Sequence, residues 1–87
     1  MKLKELIERY NEISKSLSYR SFELCFYEQL SEEEYFESLS SYYFLAGQLE
    51  MLTEIIEDKA KELEASLEYD YINNEEIGVE YSIVKII

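Results

Sequence analysis

The 87 residues carry 20 acidic and 8 basic side chains, one cysteine, and neither histidine nor proline. A net charge of −12 repels nucleic acid and anionic membranes and attracts basic protein surfaces. The missing histidines remove the commonest general base and transition-metal ligand, and a lone cysteine can form neither an internal disulfide nor a four-cysteine zinc site.

With 47% apolar residues the chain has enough to bury for one small domain spanning 1–87. No apolar run approaches the ~20 residues of a membrane span. The start, MKLKELIERYNEI, interleaves charge with its apolar residues and has no signal-peptide core. A soluble cytoplasmic protein is expected, in the host cytoplasm if viral, with no membrane partner and no direct nucleic-acid partner.

In chain order, Leu3, Leu6, Ile7, Tyr10, Ile13 and Leu17 recur at helical spacing and predict an amphipathic helix over 2–17. Residues 18–30 carry two patterns. Phe22, Leu24 and Phe26 alternate as in a strand, while Phe22, Cys25, Phe26 and Leu30 would share a helix face. Helix continuing or restarting to residue 30 is favoured, with Cys25 as a small buried hydrophobe.

Ser31 and Glu34 have the spacing of a capping box. From there Tyr35, Leu39, Tyr42, Ala46, Leu49, Thr53, Ile56, Ala60, Leu63 and Leu67 step by four and three, a heptad seam widened by Phe36, Tyr43, Leu52 and Ile55. They predict a long second helix over about 32–69, roughly 55 Å if unbroken, with Ser40-Ser41 its weakest point. The expected fold is mainly α: a helical hairpin or small bundle with one long second helix and a short C-terminal β-strand.

A rod of that length is hard to cover with the preceding residues, so the hairpin is expected to dimerise or dock on something else. Its middle, YYFLAGQLEML, is apolar on nearly every side. Gly47 costs a helix about 1 kcal/mol against alanine and implies close approach of another backbone, either the first helix or a second subunit. Tyr43, Phe44, Gly47 and Met51 are the expected self-association residues, in a homodimer. After Asn73-Asn74 the alternation of Ile77, Val79, Tyr81 and Ile83 predicts a strand over about 77–86. It needs a partner: residues 22–27, the same strand of a second copy, or a sheet edge on a target.

Chemistry is sparse. There is no glycine-rich phosphate loop, no nucleophile elbow and no calcium-loop pattern. Paired carboxylates on a solvated helix face have nothing to separate their pKa values. Neither an enzyme, a metal site nor a cofactor is expected.

The acids carry the functional expectation. Residues 1–20 hold five basic and three acidic side chains, whereas residues 31–70 hold two and twelve. Glu32, Glu33 and Glu34 suit a helix N-terminus. If the helix runs to residue 69, Glu62, Glu64, Glu68 and Asp70 crowd its C-terminal turns, where the macrodipole disfavours them. Glu33–Glu37, Glu50–Glu54, Glu54–Asp58 and Glu64–Glu68 would be like-charge pairs, together costing roughly 1–2 kcal/mol. Local rules broken without compensation point to function. Carboxylates ~5–6 Å apart have a spacing similar to that of phosphates on a nucleic-acid strand.

The expected partner-binding residues are Glu32, Glu33, Glu34, Glu37, Glu50, Glu54, Glu57, Asp58, Glu62, Glu64, Glu68, Tyr69, Asp70 and Tyr71. The expected partner is the basic surface of a nucleic-acid-binding protein such as a CRISPR effector or nuclease. In size and charge alone the chain is similar to phage and mobile-element inhibitors of CRISPR or restriction systems. Two other readings compete. One is an immunity or antitoxin-type protein neutralising a nuclease toxin, although the tyrosine-tyrosine-proline motif of such helical proteins is absent: Tyr42-Tyr43 is followed by Phe44. The other is a self-assembling helical adaptor whose acids only keep it in solution.

Overall fold

The computed structural model describes residues 2–87 as two helices followed by a β-hairpin. Helix α1 spans Leu3–Leu24, helix α2 spans Glu32–Glu62, and strands β1 (Leu67–Asn74) and β2 (Val79–Ile86) pair antiparallel. A single 3-10 turn, Tyr27–Gln29, separates the helices. The mainly helical architecture with a C-terminal strand matches the expectation from sequence. Its details differ at three places.

The first is the length of α1. The favoured helical reading of residues 18–30 holds as far as Leu24, and the period-2 pattern of Phe22, Leu24 and Phe26 is not used as a strand. The difference is that the helix stops short of residue 30. Cys25 lies just past its end and is exposed, not buried.

The second is the end of α2. Its start is as expected: the Ser31 hydroxyl accepts from the Glu34 N–H at 3.1 Å, and the Glu34 carboxylate accepts from the Ser31 N–H at 3.2 Å. The helix passes unbroken through Ser40-Ser41. It stops at Glu62, however, and not near residue 69. The Ala65 N–H bonds the Ala60 carbonyl at 2.8 Å and the Glu64 N–H bonds the Lys61 carbonyl at 3.2 Å, the two bonds of a Schellman motif. Glu64 takes the left-handed conformation, with φ of 55°. Glycine usually fills that position, which is why no breaker marks the stop.

The third is the partner of β2. It is neither residues 22–27 nor another chain but β1, in register from Leu67 opposite Ile86 to Asn74 opposite Val79. The alternation of Leu67, Tyr69 and Tyr71 was the signal for β1, hidden by the heptad seam that seemed to continue to Leu67. Gly78, with φ of 70°, supplies the turn's left-handed residue, and its N–H bonds the Asn74 carbonyl at 2.7 Å.

Helix α1 packs on both α2 and β2. The core is made by Leu3, Leu6, Ile7 and Tyr10 of α1, Leu52, Ile56 and Ala60 of α2, and Val84 of β2. It therefore gathers where the start of α1, the C-terminal half of α2 and the hairpin meet. Most of the predicted seam does face inward, from Tyr35 to Ala60, all partly or fully buried.

Between α1 and β2 the contact is polar. The Val84 N–H donates to Asn11 Oδ1 at 2.9 Å. The Tyr10 and Ser14 hydroxyls meet the Ser82 hydroxyl at 2.8 and 3.2 Å. Of these, Asn11 pairs backbone of β2 that would otherwise be left unsatisfied at the sheet edge, while the hydroxyls meet side chain to side chain. The product is elongated and thin, 48 × 23 × 14 Å.

Candidate functional site

Helix α2 presents two faces. The seam packs inward; the opposite face points to solvent and carries a row of carboxylates beside a row of apolar residues. Glu50, Glu54 and Asp58 recur every fourth residue, all exposed, one carboxylate per turn on a rigid support. None has an ion-pair partner among the described residues, where the pairs found are Arg20–Glu23, Lys59–Glu62 and Lys85–Asp70.

Of the other expected partner-binding residues, Glu57 is tied to the hairpin: its carboxylate accepts the Tyr69 hydroxyl at 3.0 Å. The Tyr69 ring also meets Tyr10 edge-on, with centroids 6.4 Å apart. Desolvation there, and next the Glu57 carboxylate that would oppose a phenolate, push the Tyr69 hydroxyl up to about 12. Tyr69 thus joins β1 to α2, while Tyr71 stays 69% exposed.

Three acids leave the rod. Glu64 occupies the turn after α2, and Glu68 and Asp70 lie on β1. Asp70 faces Lys85 at 3.7 Å and accepts the Tyr71 N–H at 2.8 Å. Glu64 and Glu68 are consequently not a helical like-charge pair. The expected clash with the macrodipole also disappears: Lys59 and Lys61 occupy the true last turn, the favourable sign, and Glu62 pairs with Lys59 at 3.7 Å. What persists of the charge anomaly is the row at 50, 54 and 58 and the pair Glu33–Glu37.

Glu32, Glu33, Glu34 and Glu37 form a separate zone. Glu34 is engaged in the capping box. Glu34 and Glu37 line a cleft with Arg20, Glu23 and Ser38, where α1 and α2 face each other. The buried Ser38 hydroxyl donates to Glu23, and Arg20 Nη1 donates to both Glu23 carboxylate oxygens at 3.1 Å. The Ser38 bond foremost, then Arg20, hold the Glu23 carboxyl below its ordinary 4.5 against the opposing effect of desolvation. At 1.5 Å per residue this zone ends about 20 Å before Glu50. The structure keeps the two acidic zones apart and places apolar surface between them.

That surface holds all four expected self-association residues. Tyr43, Phe44 and Met51 are 66, 67 and 65% exposed, and no atom lies within 4 Å of where a Cβ would stand on Gly47. Of the two explanations for Gly47, cover by the first helix is therefore wrong. Phe36 and Ile55, which the heptad pattern had assigned to the seam, are exposed and extend the same stripe. Their spacing of seven from Tyr43 and four from Met51 was the signal for a second apolar face.

No helix of the described residues is long and apolar enough to cross a membrane, and no group of three or more potential metal ligands converges among them. Compared with known proteins, the chain matches no family model, and no similar curated protein or solved structure was found.

Proposed function

We propose that this protein is a non-catalytic acidic inhibitor that occupies the basic, nucleic-acid-binding surface of another protein, of the kind that phages and mobile elements direct against CRISPR or restriction nucleases in the host cytoplasm. The observation that carries this reading is the row Glu50, Glu54 and Asp58. Its carboxylates are exposed, lack cationic partners among the described residues, and are held at fixed spacing by one uninterrupted helix.

A rigid row of charge loses little conformational freedom when it meets a groove lined with lysine and arginine, so preorganisation favours binding. Glu32, Glu33 and Glu37 offer a second acidic zone about 20 Å further along the same helix, while Tyr71 borders a groove with Tyr42 and Leu49 and stands apart from the row.

The test is affinity capture from cell lysate with wild type and with the triple change Glu50→Lys, Glu54→Lys and Asp58→Lys. Wild type is expected to retain nucleic-acid-binding proteins that are displaced by duplex DNA and released by a moderate rise in salt. The triple variant is expected to lose them while keeping its circular dichroism. Equal capture by both proteins, or capture indifferent to DNA, would refute charge mimicry.

A further inference from the structure

The stripe opposite the core is too large to be incidental. Phe36, Tyr43, Phe44, Met51 and Ile55 are 56, 66, 67, 65 and 45% exposed and follow one another along one side of α2. Given the size of such side chains, they leave roughly 600 Å² of side-chain surface in water, the upper end of what a monomer ordinarily shows in one patch. We propose that this stripe is the interface of a two-fold symmetric dimer, in which two α2 helices pack antiparallel and cross at Gly47.

Four observations select a second copy as the occupant. Gly47 is the central residue of α2, fifteen residues from Glu32 and fifteen from Glu62. A two-fold axis at that point overlaps the two helices along their full length. At any other residue part of each stripe would stay uncovered.

The second is steric. Gly47 lies in the middle of the stripe with open space above it. A glycine there lets the two backbones approach closely at the crossing, which otherwise has little to recommend it in an exposed helix interior.

Area is the third. Two stripes facing each other would remove about 1,200 Å² from water, the lower bound for a specific interface.

The fourth is complementarity along the helices. Antiparallel pairing about Gly47 sets Tyr43 near Met51 of the second copy and Lys61 within a turn of its Glu32 and Glu33. It also sets Glu50 near its Phe44 and Asp58 near its Phe36, where the carboxylates must reach past the rings to water. Lys61 makes no ion pair among the described residues. Phe44 meets a groove of about 480 Å³ between the helices, whose lining includes Arg9, Ile13, Met51 and Ile55. An aromatic ring seated in such a groove is the usual form of an interface anchor. Antiparallel packing also puts each helix N-terminus beside the C-terminus of the other, the favourable order of the dipoles.

Each copy carries −12, so long-range repulsion opposes the pairing and screening should strengthen it. Glu54 and Asp58 stand seven residues from Gly47 and Met51, on the same side of α2, so the dimer covers part of the proposed inhibitory row and the two bound states exclude each other. The opposite signs of their salt dependence tell them apart.

Sedimentation equilibrium over a concentration series tests the proposal. Wild type is expected to approach twice its 10.4 kDa mass at ~100 µM, with tighter association as salt rises from ~0.05 to ~0.5 M. Gly47→Glu places a bulky charge on the symmetry axis and Phe44→Ala removes the anchor. Both positions are exposed, so helicity should be kept while dimerisation weakens at least about tenfold. A wild-type chain that stays monomeric to ~500 µM overturns the proposal. So does a dimer that both variants leave intact, as pairing through the open edge of β1 would give. A monomer that still binds a basic partner would remove the dimer and leave the acidic surface standing.

Discussion

Glu64 holds the left-handed conformation at the end of α2, and this one residue decides where the longest element stops. An L-residue there gives up roughly 1–2 kcal/mol relative to right-handed backbone, and its carboxylate sits at the negative end of the helix. Glu64→Gly should remove the strain, while the added freedom of glycine in the unfolded chain returns part of the gain. A net stabilisation of about 1 kcal/mol is expected, seen as a rise of roughly 4–8 °C in the melting temperature. A fall would show that the carboxylate has a contact worth more than the strain. Asn11 is a second residue with reach beyond its own helix, since it bonds the backbone of Val84, 73 positions away. Neither role is visible in a periodicity, because both depend on one side chain meeting one backbone site.

At the scale of elements, the start of α2 is tied to the end of α1 by the contact between Ser38 and Glu23. The core does not reach there: Ser38 is the only α2 residue before Leu52 that is fully buried. Because the folded-state pKa of Glu23 is lowered from 4.5, its contribution to stability is present above that value and is lost as pH falls through the lower folded one. Ser38→Ala removes the largest cause of the shift. The variant should melt below wild type at pH 7, and the gap should close as the pH is taken below 4.5. A gap of constant size across that range would mean that Ser38 acts through packing and not through the carboxylate.

Over the whole molecule, charge and shape act together. Three ion pairs occur among the described residues, every partner at least 36% exposed, so salt has little attraction to screen. It has much repulsion to screen: a net of −12 and unrelieved rows on α2. The melting temperature of the dilute protein should therefore rise between ~0.02 and ~0.5 M salt. A fall would show that the few ion pairs outweigh the general repulsion. The narrow 23 × 14 Å cross-section leaves α2 covered on one side only, which explains how a chain so rich in apolar residues leaves thirteen large ones exposed among the described residues.

By itself the sequence determined the two helices, the capping box that starts the second, the inward seam from Tyr35 to Ala60 and the strand near the C-terminus. These follow from periodicity and local hydrogen bonding, which neighbouring residues specify. It also marked the acids and the apolar stretch around Gly47, since exposure of charge and the oddity of that glycine can be read from composition and helical spacing. Only the tertiary structure decided that Glu68, Tyr69, Asp70 and Tyr71 belong to a strand, because β1 exists through its pairing with β2 and a left-handed Glu64 gave no warning of the turn. Only the tertiary structure decided which apolar face of α2 is covered. Both faces satisfy helical spacing, and the choice between them rests on where α1 and Val84 deliver their side chains.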